Sequence, residues 1–318
     1  MDRSGPVVQL RSAVRAFADT RLPDGRSWAV ALSGGADSLA LTAVAAGLRP
    51  TTALIVDHGL QAGSAAVAAT TREQAMQLGC IGAEIIRVSV GTAGGPEAAA
   101  RVARYRALDE ARAGAPVLLA HTLDDQAETV LLGLGRGSGA RSMAGMQALD
   151  HPWCRPLLGQ RRATTEAACA ALGLTPWRDP HNADPRFTRV RLRTEVLPLL
   201  EDVLGGGVAG ALARTAAALR EDTEALDAWA AAYDTAADTL ETATLATLPT
   251  AVRRRVIRGW LLRHGACDLN DGQLRSVDAL ITEWRGQGGV AVPSPAAAER
   301  LFAARRNGFL TLYREPVG

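Results

Sequence analysis

Lysine is missing from this 318-residue chain, so all 35 of its basic side chains are arginine. That excludes a Walker A phosphate loop, G-x-x-x-x-G-K-[ST], whose lysine reaches the terminal phosphates. Cysteine is scarce: Cys80, Cys154, Cys169 and Cys267 lie far apart, with no C-x-x-C. They read as reduced core residues, neither a zinc site nor an iron–sulfur site, which suits a cytoplasmic protein. No run of about 18 apolar residues occurs, and the start Met1-Asp2-Arg3-Ser4 lacks a signal-peptide pattern, so no membrane partner is expected. Charge of one sign is also lacking, because 33 acidic residues leave a net charge of only +2. Such a balance does not demand a nucleic-acid partner, although an all-arginine set suits phosphate contacts.

What is present begins at residues 28–38. Trp28 to Leu32 form a short apolar run, as in a parallel strand buried on both faces. The run breaks at Ser33-Gly34-Gly35 and resumes at helical spacing through Leu39, Leu41, Val44 and Leu48. A strand, a turn without side chains and a helix N-terminus make an anion nest, since backbone N–H groups and the helix dipole face the same point. Ser33 and Ser38 add hydroxyls at its edges, and the expected guest is a phosphate. The loop is not a G-x-G-x-x-G dinucleotide turn. Ser33-Gly34-Gly35-Ala36-Asp37-Ser38 resembles the pyrophosphate-binding loop of the N-type ATP pyrophosphatases, which cleave ATP between its α- and β-phosphates.

The chain is long enough for two domains. Residues 7–21 read as an amphipathic helix carrying Val7, Leu10, Val14 and Phe17. A second strand at 53–56 runs into Asp57-His58-Gly59, and further strands are expected near 85–90 and 117–120, with helices at 65–78 and 97–113 between them. That alternation predicts an α/β fold with a doubly wound, mainly parallel sheet. Ligands of such sheets gather at the carboxyl ends of the strands, which directs Asp57 and His58 at the phosphate site. The fourth strand empties into His121-Thr122-Leu123-Asp124-Asp125-Gln126-Ala127-Glu128. Thr122 and Asp125 fit a capping box, and His121, Asp125 and Glu128 follow one stripe of the helix start. Acids also favour a helix N-terminus for its dipole alone. A histidine with three acids at a strand mouth exceeds that need, and hard carboxylate oxygens suit Mg²⁺.

Taken together, several ordered motifs over about residues 28–200 resemble the tRNA(Ile)-lysidine synthetase family. They are Ser33–Ser38, the helix Pro96-Glu97-Ala98-Ala99-Ala100-Arg101 with Arg104-Tyr105, and His121–Thr129. They continue through Arg136-Gly137-Ser138-Gly139-Ala140-Arg141, Ala144-Gly145-Met146, and Asp179-Pro180-His181-Asn182-x-Asp184 leading to Arg189, Arg191 and Arg193. Val190 and His181 depart from the family pattern. The resemblance implies an adenine-nucleotide α-hydrolase-like catalytic domain over 1–204 and a mostly helical tRNA-binding domain with short terminal strands over 208–318. It implies a ligase with ATP and Mg²⁺, acting on a CAU-anticodon tRNA(Ile) and free L-lysine. The O2 of cytidine 34 would attack the α-phosphate and release pyrophosphate, after which the lysine ε-amine would displace AMP from C2. By the same resemblance Ser33, Gly34, Gly35, Ala36, Asp37, Ser38, Asp57, His58, Arg101, Arg104 and Gly137 would bind ATP. Asp37, Asp125 and Glu128 would handle magnesium, and Asp37, His121 and Asp125 the chemistry. Arg136, Arg141, Arg189, Arg191 and Arg193 would contact tRNA. A homodimer stays open.

The glycine-rich turn at 135–139 follows a helix, so it reads equally as a helix C-cap. Arg186, Arg189 and Arg193 would share one face if their segment were a continuous helix. Gly205-Gly206-Gly207 is the expected hinge, and Arg253-Arg254-Arg255 with Arg305-Arg306 form the basic clusters beyond it. Helices are expected at 252–264 and 274–284, then short strands. Two alternatives remain at this point: another tRNA-modifying enzyme with this loop, such as a thiolase, or a non-catalytic adenine-nucleotide-binding module.

Overall fold

The computed structural model describes residues 5–59, 63–89, 91, 96–137, 139–295 and 299–316, with the backbone alone at 96–98. Val90, expected at the end of a strand, and Ser138, in the glycine-rich turn, lie outside the described residues, as do Met1–Ser4 and the side chains of Pro96, Glu97 and Ala98. The chain divides into two compact units, residues 1–131 with 146–213, and residues 132–145 with 214–318.

The first unit opens on α1 (Pro6–Arg21), which buries Leu10, Val14 and Ala18, one residue per turn. Then come β1 (Trp28–Ala31), α2 (Ala36–Ala46), β2 (Thr51–Asp57), α3 (Ser64–Gln77) and β3 (Gly82–Arg87). The half continues with α4 (Pro96–Ala111), β4 (Val117–Leu118) and α5 (Leu123–Gly135), whose end belongs to the second unit with α6 (Ala140–Met143). A hairpin of β5 (Leu149–Asp150) and β6 (Trp153–Cys154) precedes α7 (Arg162–Ala171), α8 (Thr188–Arg191), α9 (Leu197–Val203) and α10 (Val208–Ala230). The sheet order is β3-β2-β1-β4-β6-β5, parallel throughout except for β5. β1 shows why the sheet is buried on both sides. Trp28, Val30 and Leu32 pack with α1, α2 and α7, while Ala29 and Ala31 pack with Leu108 of α4. The period of two sends alternate side chains to opposite layers.

Two local expectations are corrected, and one hairpin was not anticipated. The third strand starts at Gly82, where pairing with Thr52 begins, and it ends at Arg87. The β5–β6 hairpin has strands of two residues, too short to show a period. The arginine-rich segment is no single α-helix: α8 begins only at Thr188, and a π-turn at Leu192–Val196 separates it from α9. Arg186 therefore precedes the helix, and the wide turn shifts Arg193 off the face assumed for it.

The second unit is built on β7 (Leu240–Glu241), α11 (Thr242–Ala246), α12 (Thr250–Arg263) and α13 (Asp271–Thr282), followed by β8 (Val290–Val292), β9 (Glu299–Arg306) and β10 (Phe309–Pro316). Its antiparallel sheet has the order β7-β10-β9-β8. Val252, Val256, Ile257 and Trp260 of α12 meet Val277 and Leu280 of α13 and Leu301, Ala303 and Leu310 of the sheet. Asn270 opens α13 with a capping box to Gln273. No single helix among the described residues is long and apolar enough to cross a membrane.

Candidate active site

The order β3-β2-β1-β4 reverses between β1 and β4, so the loops after these two strands leave the sheet on either side of one crevice. This is the switch point where open α/β sheets bind ligands. From β1 the chain enters Ser33-Gly34-Gly35 and then α2. Gly34 has φ +82°, and a Cβ there would lie 2.7 Å from Thr71 Oγ1, so both conformation and space require glycine. Gly35 caps α2 without any side-chain hydrogen bond, leaving the first N–H groups of the helix free of a side-chain acceptor. The Ser38 hydroxyl ties the loop, accepting from Ser33 N–H at 3.2 Å and donating to the Gly35 carbonyl at 2.9 Å. From outside, Trp177 N–H donates to the Gly34 carbonyl at 2.9 Å.

After β4, Thr122 and Asp125 form the reciprocal cap of α5. Thr122 N–H donates to Asp125 Oδ2 at 2.8 Å, and Asp125 N–H donates to Thr122 Oγ1 at 3.4 Å. The other Asp125 oxygen accepts from Arg162 Nη2 at 2.6 Å. Arg162, the first residue of α7, also reaches Asp37 at 3.3 Å and Glu128 at 3.5 Å, and its N–H donates to Asp124 at 2.7 Å. Arg193 completes the cluster with Glu128 at 2.8 Å and Asp125 at 3.7 Å. Asp37 also accepts from the Thr165 hydroxyl. Three carboxylates thus share two guanidinium groups, and the cluster keeps one negative charge.

This arrangement pushes the pKa values of the two half-buried carboxyls, Asp37 and Asp125, apart. Burial raises the pKa of Asp37 against the pull of Thr165 and Arg162. Burial acts likewise on Asp125, but the Arg162 charge and the Thr122 N–H outweigh it and hold its pKa below the usual value. His121 lies at the same mouth, its Nδ1 buried without a partner. Burial lowers its pKa to about 3 despite Asp125, so the imidazole is neutral near pH 7.

Two cavities adjoin along Ser33, Arg104, Trp177 and Asp179. The larger, about 900 Å³, is lined by the nest, Asp37, His121, Asp125, Arg162 and Arg193. The smaller, about 280 Å³, runs over the end of β2 with Asp57, His58, Leu108 and His181. Arg104 faces both and has no carboxylate partner among the described residues; burial lowers its pKa. His58 is neutral for the same reason, with the Arg104 charge adding to burial, and its Nδ1 also has no partner. Asp57 accepts from Gly59 N–H at 3.0 Å. An apolar floor, unpartnered donors and an open helix N-terminus suit a nucleotide whose phosphates enter the larger cavity.

The structure therefore brings Ser33–Ser38, Asp57, His58, Arg104, His121, Asp125 and Arg193 to one crevice. Arg193, expected on RNA, lies among the acids instead. Arg101 stacks on the Tyr105 ring at 4.9 Å on the exposed side of α4. Arg191 pairs with Glu195 at 2.9 Å on the surface, and Arg189 is half-buried on α8. Arg136, Gly137 and Arg141 fall in the second unit, where Gly137 (φ +61°) turns the chain after α5 and Arg141 pairs with Asp227. Sequence reasoning missed Arg162, Thr165 and Trp177. Only the juxtaposition of Arg161 and Arg162 just before an apolar helical pattern pointed there.

Among the described residues no group of three or more His, Cys, Asp or Glu has the arrangement of a metal cage. Asp37 and Asp125 nonetheless fit a magnesium ion, which keeps several waters and takes one or two carboxylates beside substrate phosphates. Both line the larger cavity and retain some exposure. Glu128 does not fit as a ligand: its side chain is 0% exposed and both of its oxygens accept from Arg193.

Comparison with known proteins agrees with this geometry. Residues 8–200 match the family described as the PP-loop domain, and residues 240–310 match the TilS substrate binding domain. The chain is 66% identical to the tRNA(Ile)-lysidine synthase of Mycobacterium tuberculosis over the full length of both. It is 63% identical to that of Nocardia farcinica, over 96% of this chain and 98% of the relative. A U34-tRNA thiolase, NcsA from Methanococcus maripaludis, shares the fold with a TM-score of 0.55 at 19% identity, over 68% of this chain and 80% of that one. Likeness of that degree speaks to fold alone, whereas the full-length matches decide the family: the chain belongs to the tRNA(Ile)-lysidine synthases.

Proposed function

We propose that this chain ligates free lysine to C2 of cytidine 34 in a CAU-anticodon tRNA(Ile), in the cytoplasm, with ATP giving AMP and pyrophosphate. One observation carries the reading: the open N-terminus of α2 beyond Gly34-Gly35 faces the same cavity as Asp37, His121, Asp125 and Arg162. The nest and the Ser33 and Ser38 hydroxyls hold the β- and γ-phosphates, and Arg104 meets the remaining phosphate charge. The adenosine takes the smaller cavity beside Asp57 and His58. Asp37 and Asp125 would hold Mg²⁺, which would supply neutralisation of phosphate charge there. Arg162 and Arg193 keep the carboxylates fixed until substrate arrives.

Attack by cytidine O2 on the α-phosphorus gains mainly from positioning and charge stabilisation. In the second step the lysine amine must lose a proton before it attacks C2. His121 lines the larger cavity as a neutral imidazole and is the group placed to accept that proton, with phosphate charge beside it raising its basicity. Residues before about 204 hold the nucleotide, and those after 208 supply the main tRNA surface. The test uses ATP labelled at the α-phosphate and, separately, at the γ-phosphate. AMP and pyrophosphate should form only when the tRNA is present, and ADP as the tRNA-dependent product would overturn the reading.

A further inference from the structure

The triplet Arg253-Arg254-Arg255 is the most basic run of the second unit, yet its charge is spent inside the fold. Arg253 is buried and pairs with Asp278 at 2.6 Å, and Arg254 reaches the other Asp278 oxygen at 2.9 Å. Arg255 pairs with Asp227 at 2.8 Å, and Asp227 also accepts from Arg141 at 2.5 Å. Arg258 and Arg263, farther along α12, have no such partner among the described residues. Both line a cavity of about 570 Å³ together with Arg141, Arg255, Asp227 and Asp234. Four arginines against two aspartates leave the cavity doubly positive.

Arg258 is half-buried beside Arg141, and burial followed by that like charge lowers its pKa. A partly desolvated guanidinium without a carboxylate is costly unless an anion arrives. Five residues of helix separate Arg258 from Arg263, roughly 7.5 Å along the axis. Two guanidiniums spaced along one helix can each take a separate backbone phosphate of one strand. The cavity also exceeds what one phosphate fills, and a planar guanidinium suits bidentate contact with phosphodiester oxygens.

We propose that Arg258 and Arg263 grip backbone phosphates of the tRNA, with Asp227 orienting Arg141 and Arg255 beside them. This rests on the lysidine-forming reading, since that reading makes a tRNA the substrate. Such contacts carry no sequence information; they add affinity and salt dependence.

The test uses the full chain, the double variant R258Q/R263Q and its charge-restoring counterpart R258K/R263K, with thermal melts to establish that each is folded. Binding of a CAU-anticodon tRNA is measured by fluorescence anisotropy from 50 to 300 mM salt. The glutamine variant should bind at least about 10-fold more weakly at the low-salt end. Its slope of log affinity against log salt should fall by roughly 1.5, as two phosphate contacts are lost. KM for tRNA should rise while KM for ATP stays unchanged, and the lysine variant should recover most of the affinity. Unchanged affinity and slope in a folded glutamine variant would overturn the proposal. So would competition by 10 mM inorganic phosphate or ATP that is lost only in that variant, because the cavity would then serve a free anion. Lysidine formation by the unaltered chain is scored separately, so failure of the functional reading stays distinct from failure of this site.

Discussion

Arg162 lies within 3.5 Å of three carboxylates, and no other residue of the crevice is bonded to so many of them. Replacing it by alanine leaves Asp125 and Glu128 with Arg193, and Asp37 with the Thr165 hydroxyl and no cation. Breaking one partner out of a buried ionic cluster costs about 3–5 kcal/mol. R162A should therefore lower the thermal midpoint markedly and reduce pyrophosphate release by about 10²-fold or more. R162K keeps the charge without the planar fork and should fall between. His121 gives a prediction in pH. Its folded pKa of about 3 lies below the ordinary 6.5, so between those values the unfolded chain binds a proton that the folded chain refuses. Stability should then fall as pH drops through that window, by about 1.4 kcal/mol per unit for one such group. H121Q removes this titration, and its urea midpoint should move less between pH 7 and pH 5 than that of the unaltered protein. His58, also held neutral, keeps the slope from vanishing.

At the level of elements, the start of α5 does two jobs through one side chain. Asp125 caps the helix with one oxygen and holds Arg162 with the other. D125N keeps an oxygen for the cap but removes the charge. Adenylation should be lost while helix content, followed by circular dichroism, stays intact; full activity in D125N would reduce Asp125 to a capping residue. Both jobs were legible to different degrees. The Thr122–Asp125 cap is a three-residue spacing, visible in any local window, and so was the glycine nest after β1. Arg162 was not visible, because it meets Asp37 across 125 residues and nothing in its own neighbourhood separates it from Arg161. The placement of Arg193 beside Glu128 was hidden for a related reason: a π-turn re-aims it, and no local pattern announces one extra residue in a helical turn. In the second unit the triplet at 253–255 stood out as charge, but only the fold reveals Asp278 between two of its members.

At the scale of the molecule, the glycines at 205–207 look like a boundary, yet the chain stays with the first unit up to Ala213. All three have positive φ and let α10 turn back, so that Glu201 accepts from the N–H groups of Val208 and Ala209 at 3.0 and 3.1 Å. Ala209 then packs with Ala127 and Leu197. A fragment ending at 213 should hold ATP better in equilibrium dialysis than one ending at 204, which loses those contacts. Equal binding by the two would mean that the start of α10 does not support the site. The product made from all the substrates together tests the lysidine-forming reaction most directly. The full chain would be incubated with ATP, Mg²⁺, lysine and a CAU-anticodon tRNA, and the tRNA digested to nucleosides for mass spectrometry. Cytidine should gain the mass of lysine less one water, in an amount matching the AMP released. AMP release with unmodified cytidine, or a different mass on another base, would contradict it.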